Sequence, residues 1–149
     1  MGDHSIVIKP LSPSAIYAVR HPVLRPGKPY ESCVFDGDEL ATTRHFGIFS
    51  ASELAGVASI FLKKSNLFAE NYQFQLRGMA ILEHHQHKGL GKLLLADVED
   101  FARNEKADLL WFNARLIAVP FYKSCGYEIV GDAFTIGDIG AHYVLFKKF

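Results

Sequence analysis

A strand, a glycine-containing turn and an amphipathic helix follow one another in the middle of the chain, and this unit limits the fold most. Residues 72–82 alternate polar and apolar side chains before becoming wholly apolar, which is typical of a strand entering a core. Apolar residues then recur at steps of four, four and three, at Leu90, Leu94, Val98 and Phe101. This spacing predicts a helix of about 15 residues with one buried face.

Patterns on the amino-terminal side predict a further strand, a helix and a hairpin. Ile6–Ile8 has strand character, and a serine-proline pair is typical of a helix start, which places a helix over Pro13–Leu24. The β-rich runs His45–Phe49 and Leu54–Leu62 flank a short polar turn and predict an antiparallel hairpin. Residues 31–39 carry four acids and no base, so a solvated loop is expected there.

The carboxy-terminal third is expected to hold three strands and a short helix. The predicted elements are a buried strand at Leu109–Asn113, a helix at Ile117–Cys125 closed by Gly126, strands at Tyr127–Val130 and Ala141–Phe146, and a loop over residues 131–140. The element order indicates a single mixed α/β or α+β domain over residues 1–149, not an alternating doubly wound one.

Charge and cysteine content exclude several classes of protein. The 16 basic and 16 acidic side chains balance, which argues against a general binder of nucleic acid or anionic membranes. Cys33 and Cys125 lie far apart without metal-ligand spacing, which predicts free thiols in a reducing compartment. The first residues do not resemble a signal peptide, and no apolar run approaches the roughly 20 residues of a membrane helix. A cytoplasmic protein is therefore expected.

The turn between the central strand and helix has the chemistry of an anion site. Its sequence, Gln86-His-Lys-Gly-Leu-Gly-Lys92, places two glycines and two lysines where a helix begins. The first N–H groups of a helix are unpaired, and glycines let a phosphate approach them closely. Residues 71–95 hold three basic side chains against Glu83 alone, which favours the same ligand.

Two common nucleotide motifs are excluded by position. A Walker A loop would need glycine at Gln86 and serine or threonine at Leu93, and a dinucleotide fingerprint would need its third glycine at Leu94. The residues alone therefore leave two interpretations, a pyrophosphate cradle or a glycine turn that merely links strand to helix.

Two segments, in the right order, resemble the GNAT family of N-acetyltransferases. Gln86-x-x-Gly-x-Gly is similar to the family signature Q/R-x-x-G-x-G/A, whose backbone amides hold the pyrophosphate of acetyl-coenzyme A (acetyl-CoA). Residues 118–127 resemble the family pattern A-x-x-F-Y-x-x-x-G-F/Y, with Tyr122 as its tyrosine. From about residue 45 to the end, the chain fits the family's element order.

The resemblance implies an acyl-CoA N-acyltransferase fold, a twisted, mixed, mostly antiparallel sheet flanked by helices, with strands 72–82 and 109–113 separating to admit the coenzyme. It also implies direct acetyl transfer from acetyl-CoA, as cosubstrate, to a primary amine, without a covalent intermediate; no metal is expected. Tyr122 would protonate the departing thiolate, since a phenol with a pKa of about 10 can donate a proton to sulfur. The implied coenzyme-binding residues are Met79, Ala80, Ile81, Gln86, His87, Lys88, Gly89, Leu90, Gly91, Lys92 and Asn113.

Asn113 and the general base carry open alternatives. Many family members have asparagine where this chain has Arg115, so Asn113 is expected either to bridge to pantetheine or to cap the strand end. Glu83, His45 and His142 are candidates for the base, each with a structural alternative. His142 is favoured because it interrupts the apolar last strand and a neutral imidazole accepts a proton near pH 7.

Two basic segments receive other interpretations. The histidines 84, 85 and 87 are not expected to bind a metal, because neighbouring histidines at a turn cannot all converge, and they would instead add positive potential beside the phosphate turn. Residues 20–27 are expected either to line the acceptor pocket or to form an exposed basic turn.

Two other functions stay open at this point. A noncatalytic acyl-CoA sensor would keep the phosphate turn without needing Tyr122, and a protein-interaction module would need neither motif. The expected partners are acetyl-CoA and an amine acceptor, with no nucleic acid and no membrane. The identity of the amine and the formation of a homodimer stay open.

Overall fold

The computed structural model describes residues 5–137 and 139–149, which form seven strands, three α-helices and three short 3-10 turns. The strands are β1 (Ile6–Pro10), β2 (Arg44–Ser50), β3 (Glu53–Leu62), β4 (Gln73–Ile81), β5 (Leu109–Arg115), β6 (Glu128–Ile136) and β7 (Gly140–Lys148). The helices are α1 (Pro13–Leu24), α2 (Leu90–Asn104) and α3 (Val119–Ser124), and the 3-10 turns cover Tyr30–Cys33, Glu83–His85 and Leu116–Ala118.

The seven strands follow the order β1-β2-β3-β4-β5-β7-β6 in one mixed sheet, in which β4 and β5 are parallel. The structure divides into two compact units. Unit one comprises the residues up to Phe61 together with Leu76–Phe101, and unit two comprises Leu62–Gln75 and Ala102–Phe149. The predicted fold class, a mixed α/β (α+β) sheet flanked by helices, is confirmed.

Unit one is built on the antiparallel strands β1, β2 and β3. β1 pairs with β2 along its whole length, and the pairing begins with Ile6 opposite Ser50. The predicted hairpin is confirmed, and Ala51 and Ser52 join its strands with φ values of 49° and 70°. These left-handed values give a two-residue turn the twist that matches its flanking strands.

Helix α1 supplies apolar side chains to the core of unit one. The predicted bounds, Pro13–Leu24, are confirmed. Ile16 and Val19 lie one turn apart, so they share a face, and they pack with Val57 of β3 and Ala80 of β4. Full burial of side chains of this size stabilises the fold by roughly 1.5–3 kcal/mol each.

Strand β4 is distorted at Gly78, directly before the residues expected to contact the coenzyme. Gly78 has a φ of 68°, a backbone conformation that residues with a Cβ rarely adopt. A Cβ at this position would lie 2.9 Å from Nε of Arg20 and 3.0 Å from the ring of Phe35. Both backbone conformation and close packing therefore require glycine here.

Unit two is built around β5. β5 pairs in parallel with the start of β4, Gln73 opposite Leu109, and antiparallel with β7 along Leu109–Arg115. Its core joins Leu109 and Trp111 to Val144, and the indole N–H of Trp111 donates to the carbonyl of Lys63 at 2.9 Å. The predicted separation of β4 and β5 stays a prediction.

Two expectations about loops were wrong. The loop expected over residues 131–140 is strand as far as Ile136, where β6 ends after a break in register between Val130 and Phe134, and Asp138 lies outside the described residues. The solvated loop expected over residues 31–39 contains the 3-10 turn Tyr30–Cys33 and the buried Asp38.

Among the described residues, no helix combines the length and apolar character that crossing a bilayer demands.

Candidate active site

The phosphate turn, residues 86–92, lies in unit one between β4 and α2. The backbone N–H of Leu82 donates to the carbonyl of Ala55 at 2.8 Å, which fixes the end of β4 to β3. The amide of Gln86 donates to the carbonyl of Ile81 at 2.9 Å, so this side chain closes the turn by folding back onto the strand. Helix α2 then begins at Leu90.

The backbone of this turn suits an anion. His87 and Gly89 have φ values of 63° and 80°, and these left-handed conformations reverse the chain just before α2 begins. Buried Leu90 anchors the first turn of α2, whereas Lys88 and Lys92 are exposed. The first turn of α2 has no acidic residue, so its N–H groups and dipole would attract a phosphate without local opposition.

The end of β4 presents the residues expected to meet the pantetheine arm. Ala80 is buried in the core of unit one, whereas Met79 and Ile81 are half-buried. Gly56 of β3 allows close packing here, because a Cβ on it would lie 3.0 Å from the carbonyl oxygen of Ala80. This packing holds the backbone of residues 79–81 firmly beside β3.

Tyr122 lies in unit two on the short helix α3. Its ring packs against Phe112 at 4.4 Å and Phe121 at 5.1 Å between centroids, with Tyr127 at 6.1 Å. The side chain is partly exposed, but burial around the hydroxyl raises its pKa to about 12, with a smaller contribution from Cys125. Tyr122 is therefore a neutral phenol throughout the neutral pH range and is able to donate a proton.

His142 lies on β7, opposite Arg115 of β5. It is buried, and its Nδ1 lies 2.8 Å from the carbonyl oxygen of Gly140. A carbonyl only accepts hydrogen bonds, so Nδ1 carries the hydrogen and a neutral ring presents a lone pair on Nε2. This tautomer is the one a general base needs.

The other residues considered for these roles differ in their surroundings. His45 lies 2.6 Å from Oγ of Ser59 through Nδ1 and 2.9 Å from the carbonyl oxygen of Asp38 through Nε2. With both nitrogens engaged inside unit one, His45 fits the structural alternative. Glu83 and Asn113 are exposed, Glu83 in a 3-10 turn and Asn113 on β5 opposite Val144.

Arg20 forms a buried ion pair that the sequence did not predict. Arg20 was expected to line the acceptor pocket or to belong to an exposed basic turn, but its side chain is wholly buried. Its guanidinium donates to both carboxylate oxygens of Asp38, at 2.8 and 3.0 Å, and also to the carbonyl of Cys33 and to Oγ of Ser59. The ring of Phe35 covers its other face, 3.9 Å from Cζ to the centroid.

The charge of Asp38 is maintained inside this network. Burial alone would raise the pKa of Asp38, but hydrogen bonds from Arg20 and from the backbone N–H of Phe35, with the positive charge of Arg20, outweigh it. The pKa of Asp38 is therefore lower than that of an ordinary aspartate.

His84 and His85 converge on Glu53 of the β2–β3 hairpin, which was not expected of neighbouring histidines. Their Nε2 atoms lie 2.8 and 3.3 Å from Oε1 of Glu53. The pKa of Glu53 is lowered, first by the hydrogen bond from His84. Two of the three histidines at this turn therefore meet at one carboxylate, a contact that the sequence did not predict.

Comparisons with known proteins agree with this fold and these motifs. The model of the Acetyltransferase (GNAT) family matches residues 14–127. YitI of Bacillus subtilis (strain 168), described as an uncharacterized N-acetyltransferase, is 31% identical over 140 residues, which cover 94% of this chain and 94% of that protein. The chain belongs to the GNAT acetyltransferase family, as the two sequence motifs predicted.

Solved structures support the same fold. Escherichia coli ElaA has a TM-score of 0.75 at 19% identity and covers 97% of this chain and 100% of its own. A GNAT family acetyltransferase from Elizabethkingia anophelis, solved with acetyl-CoA bound, has a TM-score of 0.70 at 15% identity, covering 97% of this chain and 98% of its own. At these identities the likeness concerns the fold alone.

Proposed function

We propose that this protein transfers an acetyl group from acetyl-CoA directly to a primary amine of a small molecule or peptide. The observation that carries the proposal is the turn before α2, where left-handed backbone at His87 and Gly89 leads into a helix start flanked by Lys88 and Lys92. The resemblance of this turn to the family signature supports placing the pyrophosphate of the coenzyme here, and a solved structure of the same fold holds acetyl-CoA.

Each step of the proposed reaction has a residue suited to it. The amine attacks the thioester carbonyl carbon, and a backbone N–H of residues 79–81 stabilises the oxyanion. His142 takes the proton that the attacking nitrogen loses, through Nε2. The tetrahedral intermediate then releases the coenzyme sulfur, which takes a proton from Tyr122 as the carbon–sulfur bond breaks. The products are the acetylated amine and coenzyme A with a free thiol, and solvent then carries the proton from His142 back to the Tyr122 phenolate, which restores both groups.

The whole chain is proposed to work as one acetyltransferase domain, because the family model crosses both compact units. The protein is also proposed to be cytoplasmic, where its two free cysteines would stay reduced. Titration calorimetry with acetyl-CoA, followed by a thiol-release assay across a panel of amines, tests the function. We expect binding and thiol release that depends on one class of amine. Absence of binding at millimolar acetyl-CoA would reject the proposal.

Removing the lysines of the phosphate turn is expected to weaken coenzyme binding selectively. In Lys88→Gln/Lys92→Gln, the KM for acetyl-CoA should rise about tenfold, since about 1.4 kcal/mol of charge-assisted binding to phosphate is lost. The kcat should change by less than about twofold, because neither side chain meets the reacting carbonyl. Steady-state kinetics with varied acetyl-CoA measure both constants.

The matched control is Lys106→Gln, which removes an exposed lysine beyond the other end of α2. Its KM should equal that of the wild type. An unchanged KM in the double variant would show that the pyrophosphate does not lie at this turn.

Replacing the proposed base is expected to slow turnover without weakening coenzyme binding. His142→Ala should lower kcat by about a hundredfold, because the attacking nitrogen then has no positioned proton acceptor, and the Kd of acetyl-CoA should stay unchanged. His142→Gln, which restores most of the buried volume, should be equally slow, and this separates lost chemistry from lost packing. Rates equal to that of the wild type in both variants would remove His142 from the mechanism.

A further inference from the structure

A second cluster of chemically active side chains lies in unit one, outside the proposed reaction. Glu53 begins β3, and His84 and His85 belong to the 3-10 turn Glu83–His85 that follows β4. The three residues each present one ligand atom within 4.8 Å of the other two. The Nε2 atoms of both histidines face the same oxygen, Oε1 of Glu53, at 2.8 and 3.3 Å.

His85 gives the second and independent observation. Its side chain is only 7% exposed, yet neither ring nitrogen has a hydrogen-bond partner among the described residues. The 3.3 Å approach of Nε2 to Glu53 lacks the alignment of a hydrogen bond. A buried polar group without a partner is unfavourable, so an imidazole in this position calls for a ligand that the protein atoms do not supply.

The donor set indicates which ligand fits. Two imidazole nitrogens and one carboxylate oxygen form a set that binds zinc with a fourth position left to water. Imidazole ligands favour Zn²⁺, Cu²⁺ and Ni²⁺, whereas Mg²⁺ and Ca²⁺ prefer oxygen ligands alone. His84 and Glu53 are exposed, at 65% and 53% of their side-chain area, so an ion can reach the site from solvent.

We propose that Glu53, His84 and His85 form a binding site for a divalent transition-metal ion of the zinc type. The ion takes Nε2 of each histidine and a carboxylate oxygen of Glu53 as ligands, and water completes the coordination. It links the β2–β3 hairpin to the turn that leads into residues 86–92. The site is a structural brace, and its existence does not depend on whether the chain transfers acetyl groups.

Titration of tag-free protein with ZnCl₂ tests the site, by calorimetry and by thermal unfolding. The wild type should bind one Zn²⁺ per chain, and its Tm should rise by about 5–10 °C at a hundredfold excess over Kd. Glu53→Gln and His84→Gln, both at exposed positions, should weaken Zn²⁺ binding at least tenfold and reduce the Tm shift at the same Zn²⁺ concentration to about half or less. Mg²⁺ should have no such effect.

His87→Gln is the matched control, since it removes a neighbouring histidine that is not part of the cluster. It should bind Zn²⁺ as the wild type does. The proposal is overturned if the wild type does not bind Zn²⁺, if His87→Gln weakens binding as much as His84→Gln does, or if Mg²⁺ competes at equal concentration. Failure of acetyl transfer in any of these proteins has no bearing on the result.

Discussion

Tyr122→Phe is expected to lower the kcat for acetyl transfer by about 10²- to 10³-fold, the range typical of a lost general acid. Phenylalanine keeps the ring that packs on Phe112 and Phe121, so helix α3 should be undisturbed. Only the hydroxyl is removed, and the sulfur must then leave as an unprotonated thiolate. The Kd of acetyl-CoA should remain within about twofold of the wild-type value, since the hydroxyl acts mainly in the transition state.

Burial raises the pKa of Tyr122 to about 12, and this value predicts how the activity depends on pH. The phenol stays protonated from about pH 6 to about pH 10, so its ionisation should cause no loss of activity over this range. Any alkaline decline below about pH 10 would come from another group. Stopped-flow and steady-state thiol release over this range measure the effect.

Tyr127→Phe is the matched control for Tyr122→Phe, because it removes a hydroxyl from the same aromatic cluster. Its kcat should be close to that of the wild type. Wild-type turnover in Tyr122→Phe would exclude Tyr122 as the acid. A wild-type protein that binds acetyl-CoA but releases no thiol with any amine would favour a noncatalytic acyl-CoA sensor.

Helices α1 and α2 and the turn before α2 could be predicted from the sequence, because the residues that determine each of them are neighbours in the chain. The bounds of α1 followed from a proline suited to the first turn, and α2 began at Leu90 because its apolar spacing begins there. The turn over residues 86–92 was predictable for the same reason, since glycines and lysines at a helix start define its backbone and charge. The assignment to a family needed only two short motifs in order.

Contacts between distant residues could not be predicted in the same way. Asp38 lies in an acidic segment and was expected to be solvated, but its partner Arg20 is 18 residues away. Glu53 and His84 are separated by 31 residues, and the two meet because the end of β4 lies beside the start of β3. β6 resumes its pairing with β7 at Phe134, after a break in register that begins beyond Val130, and the turn-like residues of this stretch do not indicate that resumption.

Asp38→Asn is expected to destabilise the fold by about 3–5 kcal/mol, the cost of leaving a buried guanidinium without its counter-charge. Arg20 is wholly buried and donates to both oxygens of Asp38, so no water can replace the lost charge. The Tm should fall by about 10 °C or more for a chain of this length. Asp36→Asn, an exposed position two residues away, should leave Tm within about 1 °C.

The ion pair of Arg20 and Asp38 makes the stability of the fold depend on pH, and the direction of this dependence follows from the pKa of Asp38. Because the pKa of Asp38 is lower in the folded protein than in the unfolded chain, the ion pair contributes its full stability above the ordinary aspartate pKa of about 4. That contribution is lost as the pH falls through the folded-state value. The difference in Tm between the wild type and Asp38→Asn should therefore shrink below about pH 4, and a constant difference would contradict the assignment.

A double variant separates the charge from the packing. Arg20→Met in the Asp38→Asn background removes the uncompensated charge and keeps a long apolar side chain over Phe35. The double variant should be less destabilised than the sum of the two single variants, because each single change leaves a charge or its partner unpaired. Additive losses would mean that Arg20 and Asp38 stabilise the fold independently.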